Sequence, residues 1–173
     1  MTLNNLMIVI GGVAMIKQKL YPASLIAKYF IWKAAREGKG ISNKKLQKLL
    51  YYAQAWNLVL NDKPLFKDNI EAWIHGPAIW SVYQEYKNFG FNDIVIDVKE
   101  SEIADIKEKD VLDNVWGVYG KYDAQYLEVL THAEEPWQKA RESVDESSIS
   151  RNVIPIGLIK SFYKKKLNHA SHG

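Results

Sequence analysis

Two of the four histidines lie close in sequence to carboxylates, where acid or base chemistry could be built. His75 lies shortly after Glu71 in the sequence, and His132 shortly before Glu134. A histidine beside a carboxylate can act as a general acid or base. Each histidine also lies near a turn-forming proline, where its ring would hydrogen-bond backbone groups and fix the turn. We expect this second role, and therefore no catalytic residue.

A metal site is also not indicated by the spacing of these residues. His75, His132 and a glutamate do not follow a ligand pattern such as H-E-x-x-H, in which two ligands lie on one face of a helix. The chain has no cysteine, which excludes disulfides, thiolate ligands and a cysteine nucleophile. We expect no metal and no cofactor.

Lysines occur in two groups that could meet nucleic acid or an acidic partner. Lys44, Lys45 and Lys48 fall on the polar side of a predicted helix, and residues 164–166 are three further lysines. The net charge of +3 is small for a protein that binds by neutralising phosphates, and no helix-turn-helix pattern is present. A solvated face is the ordinary explanation of such lysines, so nucleic-acid binding is not favoured.

The ten tyrosines and six tryptophans are a stronger signal, because aromatic side chains fill cores and anchor protein interfaces. We expect Trp73 and Trp137 in the core, and Trp80 and Tyr86 on a surface that faces a partner. Glu71 shares a strand face with Trp73. It is either a solvated edge charge or a buried carboxylate satisfied by turn amides.

Hydrophobic periodicity places these residues mainly on helices. Helices are predicted from Pro22 to before Gly38, from the N-cap Ser42 to Asn61, over residues 78–88 and 100–119, from the N-cap Asp123, at Pro136 and from Pro155.

Two segments alternate with the period of a strand. Residues 70–74 should form a short strand that Gly76 and Pro77 stop, and residues 93–98 should form a second. The predicted fold is mainly α, a single compact helical domain with a small β-hairpin or short sheet.

The first residues are set apart by their composition. Residues 1–14 form an apolar extension, either an upstream start or an arm that packs on something. The apolar run at residues 6–16 is too short to span a bilayer and has no preceding lysine or arginine. We therefore expect a cytoplasmic protein with no membrane contact, a domain over residues 15–167, and a flexible tail over residues 168–173.

Three ordered segments carry a family resemblance: LQKLLYYAQAW at residues 46–56, IEAWIHGPAIWSVYQEY at 70–86, and LTHAEEPWQKAR at 130–141. Together they resemble the Panacea domain (formerly DUF4065), represented by SocA-like and phage-associated GepA-like antitoxins. The sequence departs from the usual pattern at Ile79 and Trp80. The candidate partner-binding or motif residues are Gln47, Tyr51, Glu71, Trp73, His75, Gly76, Pro77, Trp80, Tyr83, Tyr86, Thr131, His132, Glu134, Pro136 and Trp137.

The resemblance implies an antitoxin that is not an enzyme and that neutralises a cognate protein toxin by direct binding. It also implies, from the SocA-type members, delivery of the toxin to a ClpXP-type protease. Two alternatives remain: a hydrolase-type enzyme that reverses the toxin's chemistry through His75 and His132, and a nucleic-acid-binding regulator. The sequence does not determine the oligomeric state.

Overall fold

Helices dominate the computed structural model, which describes residues 20–170 together with the two short strands Ile8–Ile10 (β1) and Val13–Met15 (β2). β1 and β2 pair antiparallel, with Ile8 opposite Met15. The elements that follow are α1 (Ala23–Arg36), α2 (Asn43–Leu60), β3 (Glu71–Trp73), β4 (Gly76–Ala78), α3 (Trp80–Tyr86), α4 (Lys109–Tyr119), α5 (Ala124–His132), α6 (Glu135–Ala140) and α7 (Ile156–Ala170). Two 3-10 helices, Lys87–Phe89 and Glu100–Ile103, lie between α3 and α4.

Helix α2 is the centre of the fold, because α1, α4, α5, α7 and β4 all pack against it. Apolar side chains such as Leu49 and Leu50 are fully buried. The buried Gln54 is satisfied by a loop, since its Oε1 accepts from Leu65 N–H at 2.7 Å and its amide donates to Phe66 C=O at 3.0 Å. A helix buried on nearly every side can hold polar groups against several neighbouring elements at once.

The predicted mainly α fold with a small β element is confirmed, and the caps explain several helix starts. Ser42 Oγ accepts from Lys45 N–H at 3.3 Å, and the Asp123 carboxylate accepts from Tyr126 N–H at 2.7 Å. Pro22 directly precedes α1, and Pro136 lies in the first turn of α6. The first backbone N–H groups of a helix have no partner within the helix. The Ser42 and Asp123 side chains accept hydrogen bonds from such groups, and a proline at a helix start has no N–H that needs a partner.

The first strand ends before Gly76 and Pro77, as predicted, but these two residues do not end the β element. The two residues begin β4, which returns antiparallel to β3 with Ala72 opposite Pro77. Ile74 and His75 form the turn between the strands. Gly76 has a φ of +93°, a value that glycine adopts without strain, so the chain can reverse where the sequence pattern indicated an end.

The strand predicted at residues 93–98 is also wrong. Ile94 is buried, but Ile96 is exposed, and the segment has no regular secondary structure. Residues 152–154 lie beside β3 instead: Ala72 N–H donates to Asn152 C=O at 2.7 Å. The start of segment 93–98 lies beside the residues that precede α2, since Ile94 N–H donates to Ile41 C=O at 2.9 Å.

Two of the predicted helices are interrupted in the structure. The helix expected over residues 78–88 is divided, since α3 begins at Trp80 and the 3-10 helix Lys87–Phe89 follows. The helix expected over 100–119 is interrupted between Glu100–Ile103 and α4, because Ile103 and Ile106 turn into the core. On α4, Val111 and Val115 are buried and Val118 is exposed.

At the chain ends, α7 continues to Ala170, past the boundary at 167, and the boundary between 14 and 15 falls inside β2. The remaining N-terminal residues and residues 171–173 of the expected tail lie outside the described residues. No helix among residues 20–170 is both long and apolar enough to span a bilayer.

A buried carboxylate joins the C-terminal helix to the centre of the fold. Glu134, the N-cap of α6, accepts hydrogen bonds from Tyr163 Oη at 2.7 Å and Tyr51 Oη at 3.0 Å, and Lys166 Nζ lies 3.3 Å away. Burial raises the pKa of the Glu134 carboxyl, although the two hydroxyls and Lys166 oppose that shift. Glu134 and Tyr51 are thus structural members of the candidate set.

Replacing Glu134 by alanine should lower the free energy of unfolding by about 2–5 kcal/mol, because two buried hydroxyls lose their acceptor. Glu135→Ala is the matched control: this neighbour forms only an exposed ion pair with Lys139, and its loss should cost less than about 1 kcal/mol. Urea unfolding of both variants measures the difference. Equal destabilisation would contradict the assigned role of Glu134.

Candidate functional site

The three sequence motifs meet at the turn of the hairpin formed by β3 and β4. From α2, Gln47 Oε1 accepts from Ile79 N–H at 2.8 Å, and Lys48 Nζ donates to Pro77 C=O at 2.9 Å. From α5, the Thr131 side chain lies against Gly76. Motifs that are far apart in sequence therefore fix one short segment of backbone.

Gly76 is required at this turn for two independent reasons. Its φ of +93° strains any residue that has a Cβ. A Cβ at this position would also lie 2.7 Å from Lys48 Cε and 2.8 Å from Thr131 Oγ1, well inside van der Waals contact. The hairpin backbone can approach α2 and α5 this closely only because residue 76 has no side chain.

Lys48 does not lie on a solvated face, contrary to the sequence-based prediction. Its side chain is buried, with 2% of the residue exposed. Burial lowers the pKa of Lys48 to about 7, and the nearby Glu128 carboxylate opposes part of that shift. The other two lysines of the group are also engaged, since Lys44 pairs with Glu128 and Lys45 Nζ donates to Gly120 C=O at 2.7 Å. The three lysines of α2 therefore do not form the solvated face that the sequence predicted.

The two histidines occupy different environments, and neither ring makes the expected hydrogen bond to the turn backbone. His75 Nδ1 lies 3.2 Å from Glu128 Oε1, and 69% of its side chain is exposed. Burial raises the pKa of Glu128, but Lys44 and His75 outweigh this and hold it below its usual range. His75 thus contacts a carboxylate from α5 rather than backbone groups.

His132 stacks on the ring of Trp137, with centroids 3.9 Å apart and an angle of 14° between the planes. Burial lowers its pKa, which favours the neutral ring, and its Nε2 has no hydrogen-bond partner among the described residues. Across the described part of the chain, no group of three or more His, Cys, Asp or Glu side chains is arranged to hold a metal.

Glu71 is buried, as in the second alternative, but its hydrogen-bond partners are side chains and not turn amides. Arg151 binds its carboxylate through two hydrogen bonds of 2.8 Å, and Trp73 Nε1 donates to it at 2.6 Å. The guanidinium is the main reason that the pKa of Glu71 is lowered. Arg151 also lies 4.3 Å from the centroid of the Trp80 ring. Sequence reasoning missed Arg151, because no local pattern connects it to a strand eighty residues earlier.

The third motif also binds the backbone of β3. Trp137 Nε1 donates to Trp73 C=O at 2.9 Å, and Arg141 donates to Ala72 C=O at 3.0 Å. Arg141 is buried and also bonds carbonyl groups of the following loop, including Ser148 C=O at 2.7 Å. The loop that brings Arg151 to Glu71 is therefore held by the same motif.

The aromatic residues of the second motif divide into exposed and buried ones. Trp80 is 42% exposed, as expected, and Tyr83 is 36% exposed. Tyr86 is buried, so the prediction that it faces a partner is wrong. Trp73 is partly buried, with its ring 4.9 Å from Tyr83 and 5.9 Å from Trp80. Trp137 packs against the core, as predicted.

Beside these aromatic rings lies a cleft of about 400 Å³ between α2, the hairpin and the end of α3. It is lined by Asn43, Lys44, Gln47, Lys48, Trp73, His75, Gly76, Ala78, Tyr83, Lys87, Gly90 and Phe91. Aromatic walls and a few fixed polar groups are typical of a recognition surface.

Gly76→Ala should lower the free energy of unfolding by about 2–4 kcal/mol, because backbone strain and a steric clash add together. Gly38→Ala is the matched control. Gly38 also has a positive φ, of +63°, but an added Cβ there has no neighbour within 4 Å, so only the strain of about 1–2 kcal/mol applies. Thermal or urea unfolding compares the two, and equal losses would mean that the hairpin does not approach α2 as closely as described.

Lys48→Met should remove a pH dependence of stability. In the unfolded chain the lysine keeps its proton up to its ordinary pKa of 10.5, whereas in the folded protein it loses the proton above about 7. Between these values the unfolded state binds more protons, so the wild-type free energy of unfolding rises with pH by at most about 1.4 kcal/mol per unit.

Denaturant unfolding at several values from pH 6 to pH 9.5 tests this for the wild type and Lys48→Met. The stability difference between them should shift steadily in favour of the wild type above pH 7 and be constant below it. Lys164→Met, which removes an exposed lysine on α7, should run parallel to the wild type. A Lys48→Met curve that is also parallel would contradict the buried position of the ammonium group.

Comparisons with known proteins match the part of the chain that carries the three motifs. The family model described as Antitoxin SocA-like, Panacea domain matches residues 46–138, a span that includes most of α2, the hairpin, α5 and most of α6. The protein Antitoxin SocA from Caulobacter vibrioides (strain NA1000 / CB15N) is 30% identical over 127 residues, which cover 66% of this chain and 68% of that protein. No solved structure matches the chain. The chain belongs to the SocA-like family of Panacea-domain proteins.

Proposed function

We propose that this protein is a cytoplasmic antitoxin that neutralises a cognate protein toxin by direct binding. The observation that carries the proposal is the exposed aromatic pair Trp80 and Tyr83, whose rings lie 6.0 Å apart at an angle of 29°. Exposed tryptophan and tyrosine side chains held against a rigid support are the side chains that most often dominate binding energy at protein interfaces. The relationship to a protein named Antitoxin SocA supports the same role.

The aromatic pair is held in place before any partner arrives. Arg151 covers one side of the Trp80 ring and is itself fixed by its two bonds to Glu71. Tyr83 contacts Trp73, whose indole N–H is bound by the same carboxylate. Side chains that are already ordered lose little conformational entropy on binding, which favours affinity.

Neutralisation requires no catalytic step from this protein under the proposal. The His132 ring stacks on Trp137 rather than facing an open site. Binding alone would block a toxin surface. Delivery of the bound toxin to a ClpXP-type protease is a second route that starts from the same complex, and it differs in the fate of the toxin.

Trp80→Ala should weaken the complex with the toxin by at least about tenfold, because a central aromatic anchor is lost. The toxin is sought as the product of the neighbouring reading frame, co-expressed and co-purified with this protein. Tyr83→Ala should act in the same direction. Tyr126 on α5 is 46% exposed and serves as the control. Tyr126→Ala should leave the affinity for the toxin unchanged.

The toxin level in the same cells separates the two routes, since occlusion preserves the toxin and proteolysis removes it. Rescue of growth by the wild type without a complex and without loss of toxin would contradict direct neutralisation. A double variant with asparagine at His75 and His132 tests the enzymatic alternative: if it binds the toxin normally and no longer protects the cell, the protein acts by catalysis.

A further inference from the structure

Basic side chains line the cleft beside the aromatic pair. Four of its twelve lining residues are basic, namely Lys44, Lys48, Lys87 and His75, and none is acidic. Two carboxylates bind lining residues without lining the cleft themselves: Glu71 binds Trp73, and Glu128 binds Lys44 and His75. Glu128 offsets part of the positive charge of these basic residues.

Two of the lysines have no carboxylate partner within ion-pair distance among residues 20–170. Lys48 donates one hydrogen bond, to Pro77 C=O, and an ammonium group has three N–H donors. Lys87, at the rim, donates to the neutral amide of Gln84 at 2.6 Å. A buried ammonium with unused donors is stabilised by an anion that approaches it, because the attraction is strong where water is excluded.

The remaining lining of the cleft is largely apolar. The rings of Trp73 and Tyr83 form one wall, and Phe91 lies at the outer edge with 98% of its surface exposed. An aromatic residue this exposed buries its surface only when a ligand or partner covers it. A ligand that fits the cleft therefore combines a negative group with an apolar one.

We infer that the cleft binds a carboxylate side chain of the toxin, an aspartate or glutamate next to an apolar residue, with the acid directed to Lys48 and Lys87 and the apolar residue against Phe91. This inference rests on the proposed function, because the cleft adjoins the Trp80 and Tyr83 pair. A carboxylate suits the site better than a phosphate dianion, because Glu128 lies close behind the basic residues and repels a second negative charge.

A pair of small probes tests the chemistry of the cleft without the toxin. The probes are 3-phenylpropanoate and its neutral isostere 3-phenylpropanamide, titrated into the full-length protein labelled with nitrogen-15. The Trp73 indole and Gly76 amide signals report binding. The carboxylate should give saturable shifts at these signals, and the amide should bind at least tenfold more weakly.

Lys48→Met and Lys87→Met should each weaken binding of 3-phenylpropanoate, Lys48→Met by at least tenfold. Lys164→Met on α7 is the control and should bind as the wild type does. Lys87 is exposed, so Lys87→Met keeps the test informative if Lys48→Met does not fold. The inference is overturned if the amide binds as well as the acid, or if both cleft variants bind like the wild type. It is also overturned if phenyl phosphate binds more tightly than the carboxylate, since the cleft would then be a phosphate site.

The same variants distinguish this inference from the proposed function. If the wild type forms no complex with the toxin, the proposed function fails, while the probe titration still reports on the cleft. If the complex forms and neither Lys48→Met nor Lys87→Met weakens it, the toxin contacts the aromatic pair without placing an acid in the cleft. In that case the inference is wrong and the proposed function stands.

Discussion

The hydrogen bonds between α2 and the hairpin are the constraint on which the rest of the site depends. Two adjacent side chains of a buried helix, Gln47 and Lys48, bind the backbone of β4 and of the residue after it. Both bonds are formed in the interior, where an unpaired amide or ammonium is costly, so the hairpin has little freedom to shift. Gly76 completes the constraint, because only a residue without a side chain permits this close approach.

From this fixed hairpin the structure builds outward to a recognition surface. Glu71 on β3 captures Arg151 from a loop late in the chain, and Arg151 in turn covers the Trp80 ring. The loop itself is held by Arg141 of the third motif. The exposed ring of Trp80 therefore packs on Arg151, which is hydrogen-bonded to the buried carboxylate of Glu71. The family motifs thus supply most of the support and, in Trp80 and Tyr83 of the second motif, the exposed aromatic side chains themselves.

The sequence predicted what depends on local patterns and missed what depends on distant partners. Helix starts at Ser42 and Asp123 were predictable, because capping and apolar periodicity act within a few residues. The return strand β4 was not, since a glycine and a proline ordinarily end a strand rather than begin one. The burial of Lys48 was hidden because a helical position shows which way a side chain points, but not which element packs over it. Arg151 carried no local signal, as its partner is eighty residues away.

Hydrogen–deuterium exchange of the protein alone and in complex with its toxin tests the central claim most directly, because it locates the contacted surface without altering the chain. We predict that the toxin slows exchange in two segments, residues 71–91 and residues 149–153, with little change in α4 and α7. Slowed exchange confined to α4 and α7 would contradict the assignment of the hairpin and its aromatic pair as the toxin-binding surface.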